Sequence, residues 1–218
     1  MQKFSTRRVG ALLLAASTLA ATLAGCAPVV LGGVALSGIV AADRRTTGTQ
    51  VEDESIELHA VNLLHGHYGD RIHVNITSYN RQVLLTGEVP TAADRQRVQE
   101  LVRSLENVRS VVNELGALPN TSLAQRSNDT FITGKVRASL VDAKDLTANA
   151  FKVVTERGVV YLLGRVTQRE AQRAASLASG VTGVVKVVRV FESLSEEELS
   201  RMSIIRPDTA GNGNASPR

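Results

Sequence analysis

The sequence predicts an α+β protein made of two tandem αββαβ units, each a small three-stranded mixed sheet packed against two helices. The first observation is an internal repeat with an offset of about 76 residues, in which residues 83–89 return as 160–166 and residues 107–112 as 183–188. The second is alternation of apolar and polar residues, which is typical of half-buried strands. The third is apolar residues three or four positions apart, which indicate helices. A hairpin followed by a helical crossover gives a sheet of this kind.

The first unit begins with a helix that places Ile56, Ala60 and Leu64 on one face. A strand at 72–76 and its partner at 83–89 flank a turn at Asn80-Arg81. Pro90-Thr91 opens a second helix, and a closing strand is predicted at 108–115. The apolar stripe of that second helix is Val98, Leu101, Val102 and Leu105.

The second unit follows the same order. Its predicted elements are a helix at 128–141, a strand at 150–156, a turn at Arg157-Gly158, a strand at 159–166, a helix at 167–179 and a strand at 184–191. Gly87 and Gly164 occupy equivalent places in the second strands, where a glycine indicates a bend or a close approach of backbone.

The amino-terminal 25 residues have the layout of a secretory signal, with three basic residues, an apolar run and then small residues. The run Leu23-Ala24-Gly25-Cys26 resembles the signal of bacterial lipoproteins. That resemblance implies cleavage before Cys26 and acylation of Cys26, so that residues 26–50 form a lipidated, flexible tether. Several acyl chains together anchor a protein stably, whereas one gives marginal binding. An uncleaved transmembrane anchor and a soluble secreted protein are the alternatives.

Charge and cysteine content restrict the two units further. Cys26 is the only cysteine, so the chain cannot form an intrachain disulfide. Residues 51–115 carry six basic and ten acidic side chains, whereas residues 126–191 carry eleven basic and five acidic ones. One acidic and one basic unit predict different partners for the two halves.

The glycine near the end of each second strand, the Val-x-x-Val pattern of each third strand and the duplicated αββαβ unit resemble the BON domain family. Together with the lipoprotein signal and Ser127-Asn128-Asp129-Thr130, the chain resembles the DolP (YraP) family of lipoproteins. The resemblance implies BON domains at 51–116 and 127–192 and a linker at 117–126. Residues 193–218 fall outside the resemblance: Ser195-Glu196-Glu197-Glu198 fits a capping box for a short helix, and the Gly-, Asn- and Ser-rich tail after it is expected to be disordered. It also implies an anchor in the outer membrane facing the periplasm, a role in envelope integrity and enrichment at division sites.

The helix predicted from Asn128 offers a candidate binding face. Ile132, Val136 and Leu140 share the core side, while Phe131, Gly134, Lys135 and Ala138 lie on another side with Arg137 beside them. An aromatic ring and cations turned away from the core suit anionic phospholipid headgroups. The resemblance implies phospholipid binding through this same helix, although the family commonly has Trp where this chain has Phe131. In the first unit Ser55 and His59 take the places of Phe131 and Lys135, within an acidic helix.

Two alternatives remain open for this helix and for the function. If the helix does not bind lipid, Phe131 belongs either to an ordinary solvated helix or to a contact with the first unit. The protein is either a lipid-binding lipoprotein or a protein-interaction scaffold, whose units dock onto envelope machinery such as outer-membrane assembly or division proteins. A scaffold should ignore headgroup charge.

The sequence contains no motif for catalysis, so we expect the protein to have no enzymatic activity and to need no cofactor. His65-Gly66-His67 could place two imidazoles near a metal ion, but no thiolate or spaced carboxylate completes a zinc site, and we expect a polar loop without metal. Aromatic residues make up 3% of the chain, too few for base stacking, which argues against nucleic acid as a partner.

Overall fold

The computed structural model describes residues 43–204, and this part of the chain has the predicted α+β architecture. The first unit consists of α1 (Thr47–Tyr68), β1 (His73–Tyr79), β2 (Gln82–Val89), α2 (Ala92–Arg103), β3 (Ser110–Asn113) and the short β4 (Gly116–Ala117). The second consists of α3 (Leu123–Asp142), β5 (Phe151–Glu156), β6 (Val159–Val166), α4 (Gln168–Ser179) and β7 (Lys186–Ser193), and α5 (Glu196–Ile204) follows it. The predicted lipidation site Cys26, the signal and residues 205–218 lie outside the described residues.

Both sheets are mixed, as predicted. In each unit the first two strands pair antiparallel and the second pairs parallel with the third. The first sheet gains β4, which resumes the parallel pairing along β2 after β3 has ended. β1 and β5 are therefore equivalent edge strands of their sheets.

Both hairpins turn through two residues with positive φ, at the positions the sequence predicts. The φ angles are 52° and 63° at Asn80-Arg81 and 51° and 72° at Arg157-Gly158. Two consecutive left-handed residues characterise the type I′ turn, whose twist matches that of the flanking strands.

A buried carboxylate from the first helix of each unit caps its turn. Asp53 accepts hydrogen bonds from the backbone N–H groups of the first turn, both at 2.8 Å, and Asp129 accepts those of the second turn at 2.9 and 2.8 Å. Burial acts to raise the pKa of Asp53, but hydrogen bonds from Ser78, from the turn and from Arg45 outweigh it and hold that pKa below its usual value. The repeated aspartate therefore joins helix to hairpin in both units.

The glycines of β2 and β6 permit a close backbone approach. A Cβ added to Gly87 would lie 2.1 Å from the carbonyl oxygen of His73, and one added to Gly164 would lie 2.4 Å from that of Ala150. Gly87 also has a φ of +104°, which residues other than glycine rarely adopt. The prediction for both positions is confirmed.

The two sheets pack face to face. One face of each sheet packs against the helices of its own unit. The other faces of the two sheets contact each other through a shared apolar cluster. The buried members of this cluster are Tyr79 and Leu84 from the first unit and Tyr161, Leu163 and Val190 from the second. The helices of both units consequently lie on the outside, so that α1 and α3 each present one face to solvent.

The segment before α1 fastens to both units. Arg44 donates to the two carboxylate oxygens of Glu170, each at 2.7 Å. Arg45 donates to Asp53 at 2.8 Å and lies over the Tyr79 ring, 4.3 Å from its centroid. The prediction that residues 43–50 belong to a flexible tether is therefore wrong, because these long-range ion pairs hold the segment.

Helix starts also differ from prediction. α1 begins at Thr47 under a Thr46 cap, and α3 begins at Leu123 because the Ser122 side chain accepts from the backbone N–H of Gln125. The predicted start at Asn128 and the linker to residue 126 are accordingly wrong, and the true connection is shorter. The predicted capping of the last helix by Ser195 is confirmed, since Ser195 and Glu198 bond reciprocally.

Candidate functional site

α3 divides into a core face and a solvent face. Ile132, Val136 and Leu140 are buried in the core of the second unit, which confirms the predicted inward side. The opposite side carries six residues that we call the outer stripe: Leu123, Ser127, Phe131, Gly134, Ala138 and Val141. At about 100° per residue they fall within an arc of about 80°.

Three large apolar side chains of the outer stripe are mostly exposed to solvent. Leu123 is 79% exposed, Phe131 65% and Val141 67%. Leu123 and Val141 are five turns apart, so the stripe runs for about 27 Å along the helix. Since Phe131 is exposed, it does not pack against the first unit.

Sequence reasoning finds the middle of this stripe but not its ends. Phe131, Gly134 and Ala138 are predicted together, and all three are exposed on one face. Leu123 is missed because the predicted helix begins five residues later. Val141 lies inside the predicted helix, and its spacing of seven residues from Gly134 and three from Ala138 could have identified it.

Cations flank the outer stripe on both sides. On one side the Lys135 ammonium lies 4.8 Å from the centroid of the Phe131 ring and donates to the carbonyl oxygen of Thr182. On the other side stand Arg137, which is exposed, and Arg126, which is half-buried. The five predicted binding residues therefore occupy adjacent positions on one helix. A Cβ added to Gly134 would meet nothing within 4 Å, so packing does not require the glycine.

The equivalent helix of the first unit has the same geometry and the opposite charge. α1 exposes Val51 and Leu58 on its outer face, with Ser55 between them. Ser55 and His59, the counterparts of Phe131 and Lys135, are exposed and approach each other at 3.5 Å. The neighbouring charged side chains on α1 are Glu52, Glu54 and Glu57. An anionic surface would repel this helix.

An ion network between the units is not foreseen from sequence. Glu88 is fully buried and accepts from Arg157 Nε at 2.6 Å, from the Thr121 backbone N–H at 3.1 Å and pairs with His73 Nδ1 at 2.9 Å. Burial raises the pKa of Glu88, but these partners outweigh burial and hold the pKa below its usual value of 4.5. Glu88 and Arg157 meet only because the two sheets stack, so no local sequence pattern predicts this network.

The prediction that His65 and His67 lie in a polar loop is wrong, because both are exposed in the last turn of α1. A different group comes together in the described part of the chain: His73, Glu88 and Glu156 have ligand atoms within 4.8 Å of one another. Arg157 already supplies the counter-charge to Glu88, so the geometry is that of an ion network joining the two units.

Among residues 43–204, no helix has both the length and the apolar character that crossing a bilayer requires. Two αββαβ units with a duplicated hairpin cap define a tandem BON-domain protein, and the BON domain profile matches residues 60–118 and 128–193.

Known relatives narrow the class. The chain is 40% identical over 174 residues to the outer membrane lipoprotein DolP of Haemophilus influenzae, covering 79% of this chain and 90% of the relative. It is 34% identical over 151 residues to a 21 kDa hemolysin of Actinobacillus pleuropneumoniae, covering 68% and 78%. Among solved structures, CdsD of the Chlamydia trachomatis type III secretion system aligns with a TM-score of 0.27 at 15% identity, covering 69% of this chain and 98% of that one. The chain belongs to the DolP family of BON-domain outer-membrane lipoproteins.

Proposed function

We propose that this lipoprotein binds anionic phospholipid through the outer stripe of α3 and its flanking cations, and that this binding supports outer-membrane integrity, including at division sites. The observation that carries the proposal is the exposure of Leu123, Phe131 and Val141 along one face of a helix that also bears Lys135 and Arg137. A helix of this kind lies in the interface plane with its apolar side among the acyl chains.

Magnitudes favour a combined mechanism. Burying a large apolar side chain contributes about 1.5 to 3 kcal/mol, and a cation near an anionic surface contributes about 1 kcal/mol. Apolar insertion therefore supplies most of the affinity, while the cations select negatively charged membranes. The acyl anchor predicted at Cys26 would hold the protein at the membrane, and α3 would then fix its orientation.

Lys135→Glu is expected to weaken binding of residues 43–218 to phosphatidylglycerol vesicles about tenfold, because an attraction of about 1 kcal/mol is replaced by repulsion. Vesicle flotation across a lipid titration measures the change. His59→Glu is the matched control, since it introduces the same charge at the equivalent position of α1. Equal affinities of both variants and the unaltered protein would contradict the proposal. Added salt should weaken the interaction, because exposed charges are screened.

A second function is favoured by the outer face of α1. Val51, Leu58 and Val61 are exposed there among acidic residues. An apolar patch of this kind, which cannot approach an anionic bilayer, suits a protein partner such as an outer-membrane assembly or division component. Photo-crosslinking from position 58 in intact cells tests this; capture of lipid alone would contradict it.

A further inference from the structure

A groove of about 300 Å³ runs between α3 and the edge strand β5. Three threonines line it, namely Thr130 and Thr133 on the helix and Thr155 on the strand. Arg126, His73 and Glu156 also line the groove. The groove is thus a polar recess beside the lipid-facing helix.

In the first unit, a glutamate side chain fills the equivalent position between the first helix and the edge strand. Glu57 occupies the position equivalent to Thr133, and its carboxylate accepts a hydrogen bond from the backbone N–H of Ser78 at 2.7 Å. The same oxygen accepts from the Lys152 ammonium at 2.8 Å. In the first unit, the Glu57 carboxylate is therefore the hydrogen-bond acceptor for the outward-facing N–H of the edge strand.

The second unit leaves the equivalent place open. Thr155 and Ser78 occupy equivalent positions, each two residues before the turn of its hairpin. Along an antiparallel strand, backbone N–H groups point alternately towards the partner strand and away from it, so the Thr155 N–H points away from β6 and towards the groove. Thr133 is too short to reach across as Glu57 does, and its hydroxyl donates to the Thr155 hydroxyl at 2.7 Å instead. An oxygen atom of a ligand can take the position that the Glu57 carboxylate fills in the first unit.

The location of the groove identifies the source of that ligand. Arg126, Thr130 and Thr133 lie on the flank of α3 between its outer stripe and its core side, at about 60° to 120° from the centre of the stripe by the helical repeat. When the outer stripe enters the acyl boundary, this flank lies at the depth of the headgroups. The guanidinium of Arg126 suits a phosphate group.

The two carboxyl groups that line the groove favour ligand hydroxyl groups over a second ligand anion. Burial raises the pKa of the Glu156 carboxyl, and the nearby charge of Glu88 raises it further. A ligand hydroxyl can donate to this carboxyl, whereas a ligand carboxylate would meet Glu156 and Asp129 at close range. The walls therefore fit a polyol attached to a phosphate.

We propose that the groove between α3 and β5 binds the polyol phosphate headgroup of a membrane lipid, so that the protein prefers phosphatidylglycerol to phosphatidylserine at equal surface charge. This inference rests on the proposed function and adds the headgroup to it.

The test compares vesicles containing equal mole fractions of phosphatidylglycerol or phosphatidylserine in phosphatidylcholine. Residues 43–218, which include both cores and the apolar cluster between the two sheets, should bind the phosphatidylglycerol vesicles about fivefold more tightly, the effect of about one net hydrogen bond. Thr133→Gln fills the groove with a neutral side chain of nearly the length of Glu57 and should bind both vesicles alike. Thr130→Gln, which narrows the groove from its exposed wall, should reduce the preference as well.

Thr47→Gln is the matched control, because it places the same side chain at an exposed position of α1 and should keep the fivefold preference. Circular dichroism confirms that each variant is folded. Equal binding of the unaltered protein to both anionic vesicles would overturn the groove while leaving the proposed function intact, whereas binding to neither would overturn the proposed function itself.

Discussion

Replacing Leu123, Phe131 and Val141 together by serine is expected to reduce the affinity for phosphatidylglycerol vesicles about a thousandfold, the equivalent of about 4 kcal/mol. These residues are the large apolar members of the outer stripe, and each is mostly exposed. Their burial in the acyl boundary accounts for most of the binding free energy, and serine removes it without adding charge. Titration of residues 43–218 with vesicles, followed by flotation, measures the loss.

The matched control changes the exposed apolar residues Val51, Leu58 and Val61 of α1 to serine. That variant removes a similar apolar area from the other unit and should retain the affinity of the unaltered protein. Both triple variants should keep their folding stability, because the substituted side chains lie outside the two cores. A comparable loss in both variants would show that apolar area anywhere on the surface suffices, which is incompatible with binding through α3.

Glu88→Ala is expected to lower the free energy of unfolding by about 3 kcal/mol, since a buried carboxylate that satisfies several donors disappears. Arg157 loses its partner at 2.6 Å, and the buried backbone N–H of Thr121 loses its acceptor. Because Glu88 belongs to the first unit and Arg157 to the second, the variant should also loosen the contact between the sheets. Chemical denaturation monitored by circular dichroism measures the change.

The same network predicts a pH dependence. The pKa of Glu88 is lowered in the folded state, so its contribution is fully present above its usual pKa of 4.5 and is lost as the pH falls through the folded-state value. In Glu88→Gln the free energy of unfolding should fall less steeply between about pH 6 and pH 3 than in the unaltered protein. Parallel pH profiles for the two proteins would contradict the role assigned to Glu88. Arg97, which pairs with Glu100 on an exposed helix, offers a control: Glu100→Gln should leave the profile almost unchanged.

Local patterns in the sequence predict most of the fold. The duplication, the turns at Asn80-Arg81 and Arg157-Gly158, and the inward face of α3 all depend on residues close in sequence, and each is found as predicted. Gly87 and Gly164 are identified from their place in the repeat, and the structure supplies the reason, namely backbone carbonyl oxygens that leave no room for a Cβ atom.

The features that sequence reasoning misses depend mostly on contacts between distant residues. Arg44 lies 126 residues from Glu170, so a polar segment with the composition of a flexible tether is fixed by an ion pair that no local rule anticipates. The stacking of the sheets brings Glu88 to Arg157 in the same way. The early start of α3 has a local cause, the Ser122 cap, but Asn128 is the more prominent capping candidate and places the predicted start too late. Leu123, at one end of the outer stripe, is missed for that reason.

Tryptophan fluorescence tests membrane insertion of α3 most directly, because the chain contains no tryptophan and a single introduced one reports its own position. Phe131→Trp and Val51→Trp place the indole at exposed sites on α3 and α1 respectively. On addition of phosphatidylglycerol vesicles with brominated acyl chains, the tryptophan at position 131 should shift to the blue and be quenched, while that at position 51 should stay in water. Quenching at position 51 with none at position 131 would contradict insertion through α3.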